Sequence, residues 1–363
     1  MKMTFVLPFA GLQGGIRVLA TYAKRLKERG HDVVVISTPP ETSFGWKVRS
    51  FIRGGWRNDS KSSHFDGLDV EHRVLERVRS VTDEDVPDSD VVMATYYTTA
   101  YGVLQLSPEK GAKAIFLQGY ELENGEPNPR LDATWRMPMH KVAVSSWLVQ
   151  LARDRFGDDS VSLVPNGVDL DQFHAVPRAK GAVPTVGFLH HNAPLKGCRT
   201  SITAVKRVAQ SIPSLRLISF GAEHPDFGLR LPRFAEFYYQ PPQEKLKGLY
   251  DQCDVWLSAS IREGFCLPLI EAMACRCPVV STRAGGPNDI IDEGVNGYLT
   301  EVGDTETFAD RILRVLQLSS ERWRKMSDAA YRTATRFTWN DATDRFERAL
   351  EFAIERKKRG EIS

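Results

Sequence analysis

The chain has 363 residues, 42% of them hydrophobic and 26% charged, too long for one ordinary core of roughly 100–200 residues and unlike disordered, collagen-like or coiled-coil sequences. Two globular domains are expected. With 48 Lys+Arg against 46 Asp+Glu the net charge is only +2, so no global field draws the protein to nucleic acid, and any charged partner has to be read locally. The five cysteines, Cys198, Cys253, Cys266, Cys275 and Cys277, are an odd number in a long chain, which argues for buried thiols in a reducing cytoplasm and against a disulfide framework. Cys275-Arg276-Cys277 lacks the second pair or the histidines that a zinc site needs. The apolar run Phe5–Ala10 is too short for a signal peptide and no stretch approaches the ~20 apolar residues of a spanning helix, so the expected location is the cytoplasm, or peripherally the inner face of the cell membrane.

In chain order, Thr4–Pro8 reads as a strand, 11–15 as a glycine-rich turn, Ile16–Arg29 as an amphipathic helix and Asp32–Ser37 as a buried parallel strand, which together make a βαβ unit. The segment Pro40–Lys61 follows, with five Lys/Arg against two acids, and its basic residues alternate with Phe44, Trp46, Phe51 and Trp56. Two readings of residues 44–61 stand side by side: a peripheral contact with anionic lipid, or a mobile loop over an acceptor cleft. Further strands are expected at Val91–Ala94, Ala114–Leu117, Val142–Ser145 and Val161–Pro165, with a helix at Trp147–Phe156. The acidic run Asp83–Asp90 contains Asp88-Ser89-Asp90, which resembles a metal-nucleotide motif, yet such charge blocks ordinarily form solvated loops.

Val176–Gly181 reads as a linker. A second βα series follows, with strands at Thr185–Leu189, Arg216–Phe220, Val255–Ser258 and Pro278–Ser281, and helices at Cys198–Ser211, Gln243–Gln252, Pro268–Ala274 and Thr305–Leu318. A last charged amphipathic helix runs from Asn340 to Lys357. The expected fold class is α/β, with two Rossmann-like doubly wound parallel sheets that bind ligands where strand C-termini and helix N-termini converge. The expected division is 1–176 for the first domain, 177–340 for the second and 341–363 for the final helix.

The segment with most chemical content is Arg262-Glu263-Gly264-Phe265-Cys266-Leu267-Pro268-Leu269-Ile270-Glu271. Pro268 suits a first helical turn, so the preceding loop would present unpaired N–H groups and the positive end of a helix dipole, a place for phosphate, bracketed by two carboxylates. Gly14-Gly15 after the first strand offers amides in the same way. It is not G-x-G-x-x-G, and no Walker A sequence occurs.

The spacing of Glu263 and Glu271 resembles the E-x7-E signature of retaining glycosyltransferase family 4, the group 1 glycosyltransferases. The likeness extends through Cys277–Ser281, Ala284–Pro287 and Asn296–Leu299, and in the first half through Gly14-Gly15 and Val164–Asp169. What it implies is a GT-B fold whose two domains face across a cleft, and transfer of a sugar from a nucleotide-diphosphate donor to a hydroxyl of a glycan or lipid-linked acceptor, in polysaccharide or glycoconjugate synthesis. The implied transfer retains anomeric configuration and uses no metal or cofactor. By the same resemblance Glu271 binds the donor ribose, Glu263 the hydroxyls of the transferred sugar, and Lys196 the diphosphate. The N–H groups of Gly264, Phe265, Cys266 and Leu267 would face sugar and diphosphate, with Gly15 approaching from the first domain. Relatives carry an arginine shortly after the strand glycine; here stands Gly187-Phe188-Leu189-His190-His191, and His190 or His191 is the candidate substitute donor. Where many relatives have a histidine, this chain has Gln118-Gly119-Tyr120-Glu121, similar to a branch that includes bacterial rhamnosyltransferases, so Gln118 is the candidate catalytic-side residue. A sugar-nucleotide epimerase or hydrolase, or a non-catalytic nucleotide- or glycan-binding protein, are the alternatives.

Overall fold

β-Branched runs with apolar side chains on both faces can be satisfied only inside a parallel sheet covered by helices, and the chain builds two such sheets. The computed structural model describes residues 1–39, 63–120, 122–123 and 126–363; the segment 44–61 and Glu121, singled out above, lie outside the described residues. The first sheet is made from β1 (Lys2–Leu7), β2 (Asp32–Ser37), β3 (Glu71–Val74), β4 (Val91–Ala94) and β5 (Ala112–Leu117). A two-residue antiparallel hairpin, β6 (Leu122–Glu123) and β7 (Glu126–Pro127), stands outside it, and β8 (His140–Ala143) and β9 (Ser162–Leu163) complete it in the order β3-β2-β1-β4-β5-β8-β9. The second sheet, in the order β12-β11-β10-β13-β14-β15, uses β10 (Thr185–Leu189), β11 (Arg216–Gly221), β12 (Ala235–Tyr239), β13 (Val255–Ser258), β14 (Val279–Thr282) and β15 (Gly297–Thr300), and every strand pair in it is parallel.

The chain separates into two compact units. Unit 1 comprises Met1–Ala143, Leu148–Val164 and Thr343–Ser363, and unit 2 comprises Val144–Trp147 with Pro165–Ala342. In unit 1 the closing helix Trp339–Lys358 lends its later turns: the Phe346 ring stacks on Tyr22 at 4.2 Å and meets Phe116 edge-on at 5.5 Å. Arg29 bonds Asp344 at 2.6 Å and Glu347 at 2.5 Å, while His31 Nε2 lies 2.7 Å from the same Glu347. Burying Phe346 is worth about 2–3 kcal/mol by its apolar area, and the ion pairs at its flanks fix which turn of the helix meets the sheet.

Several local expectations are corrected. Gly14 and Gly15 belong to the first turn of the helix Gly14–Glu28, not to a turn before it. The expected strand Val161–Pro165 shrinks to β9; Val164 N still donates to Ala143 O at 2.8 Å, and Pro165, which has no N–H to give the sheet, begins the return into unit 2. β3, with sequence EHRV, carries no apolar run because it is an exposed edge. The helix Ser320–Ala334 buries only Trp323, Met326, Ser327, Ala329, Ala330 and Ala334, a stripe of mostly small residues that the surrounding charges hide from a hydrophobicity reading.

Candidate active site

The site is built where β10 and β13, neighbours in the second sheet, end. After β10 the chain makes a short 3₁₀ turn, Pro194–Lys196, and Gly197 then caps the helix Cys198–Ser211 with φ +61°. A Cβ at Gly197 would lie 1.7 Å from the Ala259 carbonyl oxygen, so only glycine lets this turn rest on the loop that follows β13. Ile261 N donates to Leu195 O at 2.8 Å, which joins the two loops. Lys196 is thereby brought to Glu263: its Nζ donates to Oε1 at 2.8 Å, and Ser260 Oγ donates to the same oxygen at 2.7 Å. Burial lowers the Lys196 pKa, but the charge and hydrogen bond of Glu263 outweigh it, so the ammonium is held above its ordinary value. Its side chain is still 38% exposed, so the cation remains open to a ligand.

The Glu263 backbone is fixed from the other side. Glu263 N donates to Ala284 O at 2.7 Å and Gly286 N donates to Glu263 O at 3.1 Å. The indole N–H of Trp147 donates to the carbonyls of Glu263 and Gly264 at 3.0 and 3.2 Å. Gly285, at φ +99°, makes room for that ring, since a Cβ there would sit 2.5 Å from Trp147 Nε1. Among the described residues, the N–H groups of Gly264, Phe265, Cys266 and Leu267 donate to no protein acceptor. They lead into the helix Leu267–Ala274, with Pro268 in its first turn. Four consecutive orphan donors and the positive end of a helix lie in the loop after β13, and the Lys196 ammonium reaches that loop from the turn after β10; that combination is suited to an anion with several oxygens.

Cys266 supplies the bend into this helix in the left-handed region, φ 77° and ψ 67°, without glycine. Its thiol is buried and pushed up to about 12, by burial first and by Glu263 next, so it is no nucleophile. Phe265 turns into the interior against Phe337 at 5.6 Å, leaving only its backbone for a ligand. Glu271 lies one turn into the helix, 4% exposed, and accepts from Tyr250 Oη at 2.8 Å. His190 is buried, with Nε2 on Asn192 Oδ1 at 3.1 Å and its ring on Phe237, which makes it a packing residue. His191 is half-buried and its Nδ1 accepts from Ala193 N at 2.9 Å, so it shapes the turn that presents Lys196. In unit 1, Gln118 Nε2 donates to Gly15 O at 3.3 Å, joining the two candidates of that half.

Asp88 pairs with Lys110 at 2.9 Å and Asp90 accepts from Lys2 N at 2.7 Å, which are loop and strand-end contacts. Among the described residues no three of His, Cys, Asp and Glu converge as metal ligands would, and no helix is long and apolar enough to cross a membrane. Sequence reading missed Ser260, Trp147 and Tyr250. The only signal for Ser260 was its place three residues before Glu263, and the other two are brought in by folding.

The topology of both units is that of GT-B proteins. Sucrose-phosphate synthase from Thermosynechococcus elongatus superposes with a TM-score of 0.76 at 15% identity, over 97% of this chain and 98% of that one. Anabaena HepE in complex with UDP and glucose superposes with a TM-score of 0.72 at 19% identity, over 97% and 99%. At the level of sequence, residues 170–333, all within unit 2, match the family described as glycosyl transferases group 1. The D-inositol 3-phosphate glycosyltransferase of Mycobacterium bovis (strain BCG / Pasteur 1173P2) is 32% identical over 226 residues, 55% of this chain and 46% of that protein. The chain thus spans about half the length of the curated relatives it matches.

Proposed function

We propose that this protein is a retaining glycosyltransferase that moves a sugar from a nucleotide-diphosphate sugar to a hydroxyl of a glycan or lipid-linked acceptor, in the cytoplasm and without a metal ion. The observation that carries the reading is the set of four unpaired N–H groups at Gly264–Leu267 beside the Lys196 ammonium. Charge develops on the departing diphosphate, and fixed donors aimed at it lower the barrier without reorganising. In this reading Glu271 accepts from the donor ribose and Glu263 reads hydroxyls of the transferred sugar while keeping Lys196 in place. The C1–O bond to the phosphate breaks, the C1–O bond to the acceptor forms on the same face, and the acceptor's proton passes to the leaving phosphate oxygen. The HepE structure with UDP and glucose and the pneumococcal O-GlcNAc transferase with UDP and GlcNAc share the fold, which supports a nucleotide-sugar donor.

The test is calorimetric binding of a panel of nucleoside diphosphates and nucleotide sugars, followed by transfer assays with the best donor. Lys196→Ala should slow transfer by about 10²–10³-fold, the usual cost of one stabilising donor, and Glu271→Ala should weaken nucleotide binding. If neither variant changes either quantity, the site is misassigned. The segment 44–61 is proposed as a peripheral contact with anionic lipid. Flotation with anionic vesicles should lose the protein when Lys47, Arg49, Arg53 and Arg57 are neutralised; unchanged flotation rejects that contact.

A further inference from the structure

Tyr250 closes the helix Gln243–Tyr250 and is 1% exposed. Its ring meets Trp256 at 4.5 Å, Phe220 at 5.6 Å and Phe173 at 5.9 Å, so the phenol cannot swing. Its hydroxyl donates to Glu271 Oε2 at 2.8 Å. The last torsion of a glutamate is broad and roughly two-fold, so the carboxylate plane has little preference of its own. A donor at the end of an immobilised ring supplies that preference. A carboxylate offers about four lone-pair positions, more than one phenol can fill.

We infer that Tyr250 is a positioning residue for the donor nucleotide: it sets the rotation of the Glu271 carboxylate so that this group accepts from ribose hydroxyls, and so gives the site its preference for ribonucleotides over deoxyribonucleotides. The inference rests on the proposed role of Glu271 at the ribose. A group that only satisfied a buried acid would affect stability alike with every ligand. A positioning group changes the ratio between ligands that differ by one hydroxyl, because a polar site built for that hydroxyl is left unpaired when it is missing.

The experiment measures dissociation constants by calorimetry for UDP, 2′-deoxy-UDP, GDP and 2′-deoxy-GDP with the wild type, Tyr250→Phe, Glu271→Gln and the double variant. Tyr250→Phe keeps the ring contacts, the double variant removes the carboxylate that the single one leaves without its phenol donor, and circular dichroism of each variant shows that the protein compared is folded. The wild type should favour the ribo form of the base it accepts by tenfold or more. Tyr250→Phe should reduce that ratio at least fivefold, and the double variant should match Glu271→Gln alone. If Glu271→Gln removes the ribo preference while Tyr250→Phe leaves it intact, the positioning role is overturned and the ribose reading stands. A double variant with a preference different from Glu271→Gln also overturns it. If the wild type binds ribo and deoxy forms equally, or Glu271→Gln changes nothing, the ribose reading falls and the inference falls with it.

Discussion

At the scale of single residues, Cys266 and His140 show how environment decides behaviour that residue type does not. Cys266 holds a left-handed backbone at φ 77°, a conformation that costs a side chain about 1–2 kcal/mol and costs glycine almost nothing. Cys266→Gly is therefore expected to be at least as stable as Cys266→Ala, the reverse of the order inside a helix, as read from urea midpoints. The same thiol, pushed up to about 12, should resist alkylation at pH 8 until the protein unfolds. His140 is buried in unit 1, with Nε2 3.0 Å from Ser162 Oγ and Nδ1 accepting from Arg356 at 3.3 Å. Burial first, and Arg356 next, lower its pKa from 6.5 to about 4. The folded state thus favours the neutral ring. Its contribution is complete above pH 6.5 and is lost as pH falls from there towards 4, about 3 kcal/mol in all by linkage. Melting between pH 7 and pH 4 should show this loss in the wild type and a flatter profile in His140→Gln.

At the scale of elements, the helix Trp339–Lys358 and the two site loops obey different rules. The helix is amphipathic and its anchor is one ring, Phe346, fully buried among Phe5, Tyr22 and Phe116. Phe346→Ala should destabilise unit 1 by about 3–5 kcal/mol, and Arg29→Ala, at a partly exposed ion pair, by about 1 kcal/mol or less. Chemical denaturation followed by circular dichroism checks both. The loops after β10 and β13 are held by backbone contacts, not by apolar area. Gly197, Gly285 and Gly286 are among the places where these loops meet a neighbour too closely for a Cβ. Gly197→Ala is expected to move Lys196 away from Glu263, weakening nucleotide binding by far more than a surface Gly→Ala change elsewhere, and calorimetry against the wild type decides it.

At the scale of the whole molecule, a ligand that binds only the folded protein stabilises it by RT ln(1 + [L]/Kd), about 2.7 kcal/mol at a hundredfold excess over Kd. Under the proposed function, a thermal scan with a saturating nucleoside diphosphate should raise the melting temperature of the wild type and leave that of Glu271→Ala nearly unchanged. An equal rise in both would mean the nucleotide binds elsewhere. Much of this architecture could be read before folding. The apolar runs of β1, β2, β10 and β13 suit buried parallel sheets, Cys198–Ser211 has a helical period, and Pro268 after Glu263 marked a loop opening a helix. Edge strands such as β3, and the small-residue stripe of Ser320–Ala334, carried too little apolar contrast to register. The sequence by itself determined the two-sheet class and the identity of the loop that carries Glu263, because periodicity and turn chemistry are local properties. Only the tertiary structure decided that Lys196 lies on Glu263, that Trp147 fastens the same loop, that Tyr250 reaches Glu271 and that His190 points into the interior. Those partners lie 67, 116, 21 and, for His190 with the Phe220 carbonyl that accepts its N–H, 30 positions apart along the chain, and contacts across such separations exist only once the sheet has brought its strand ends together.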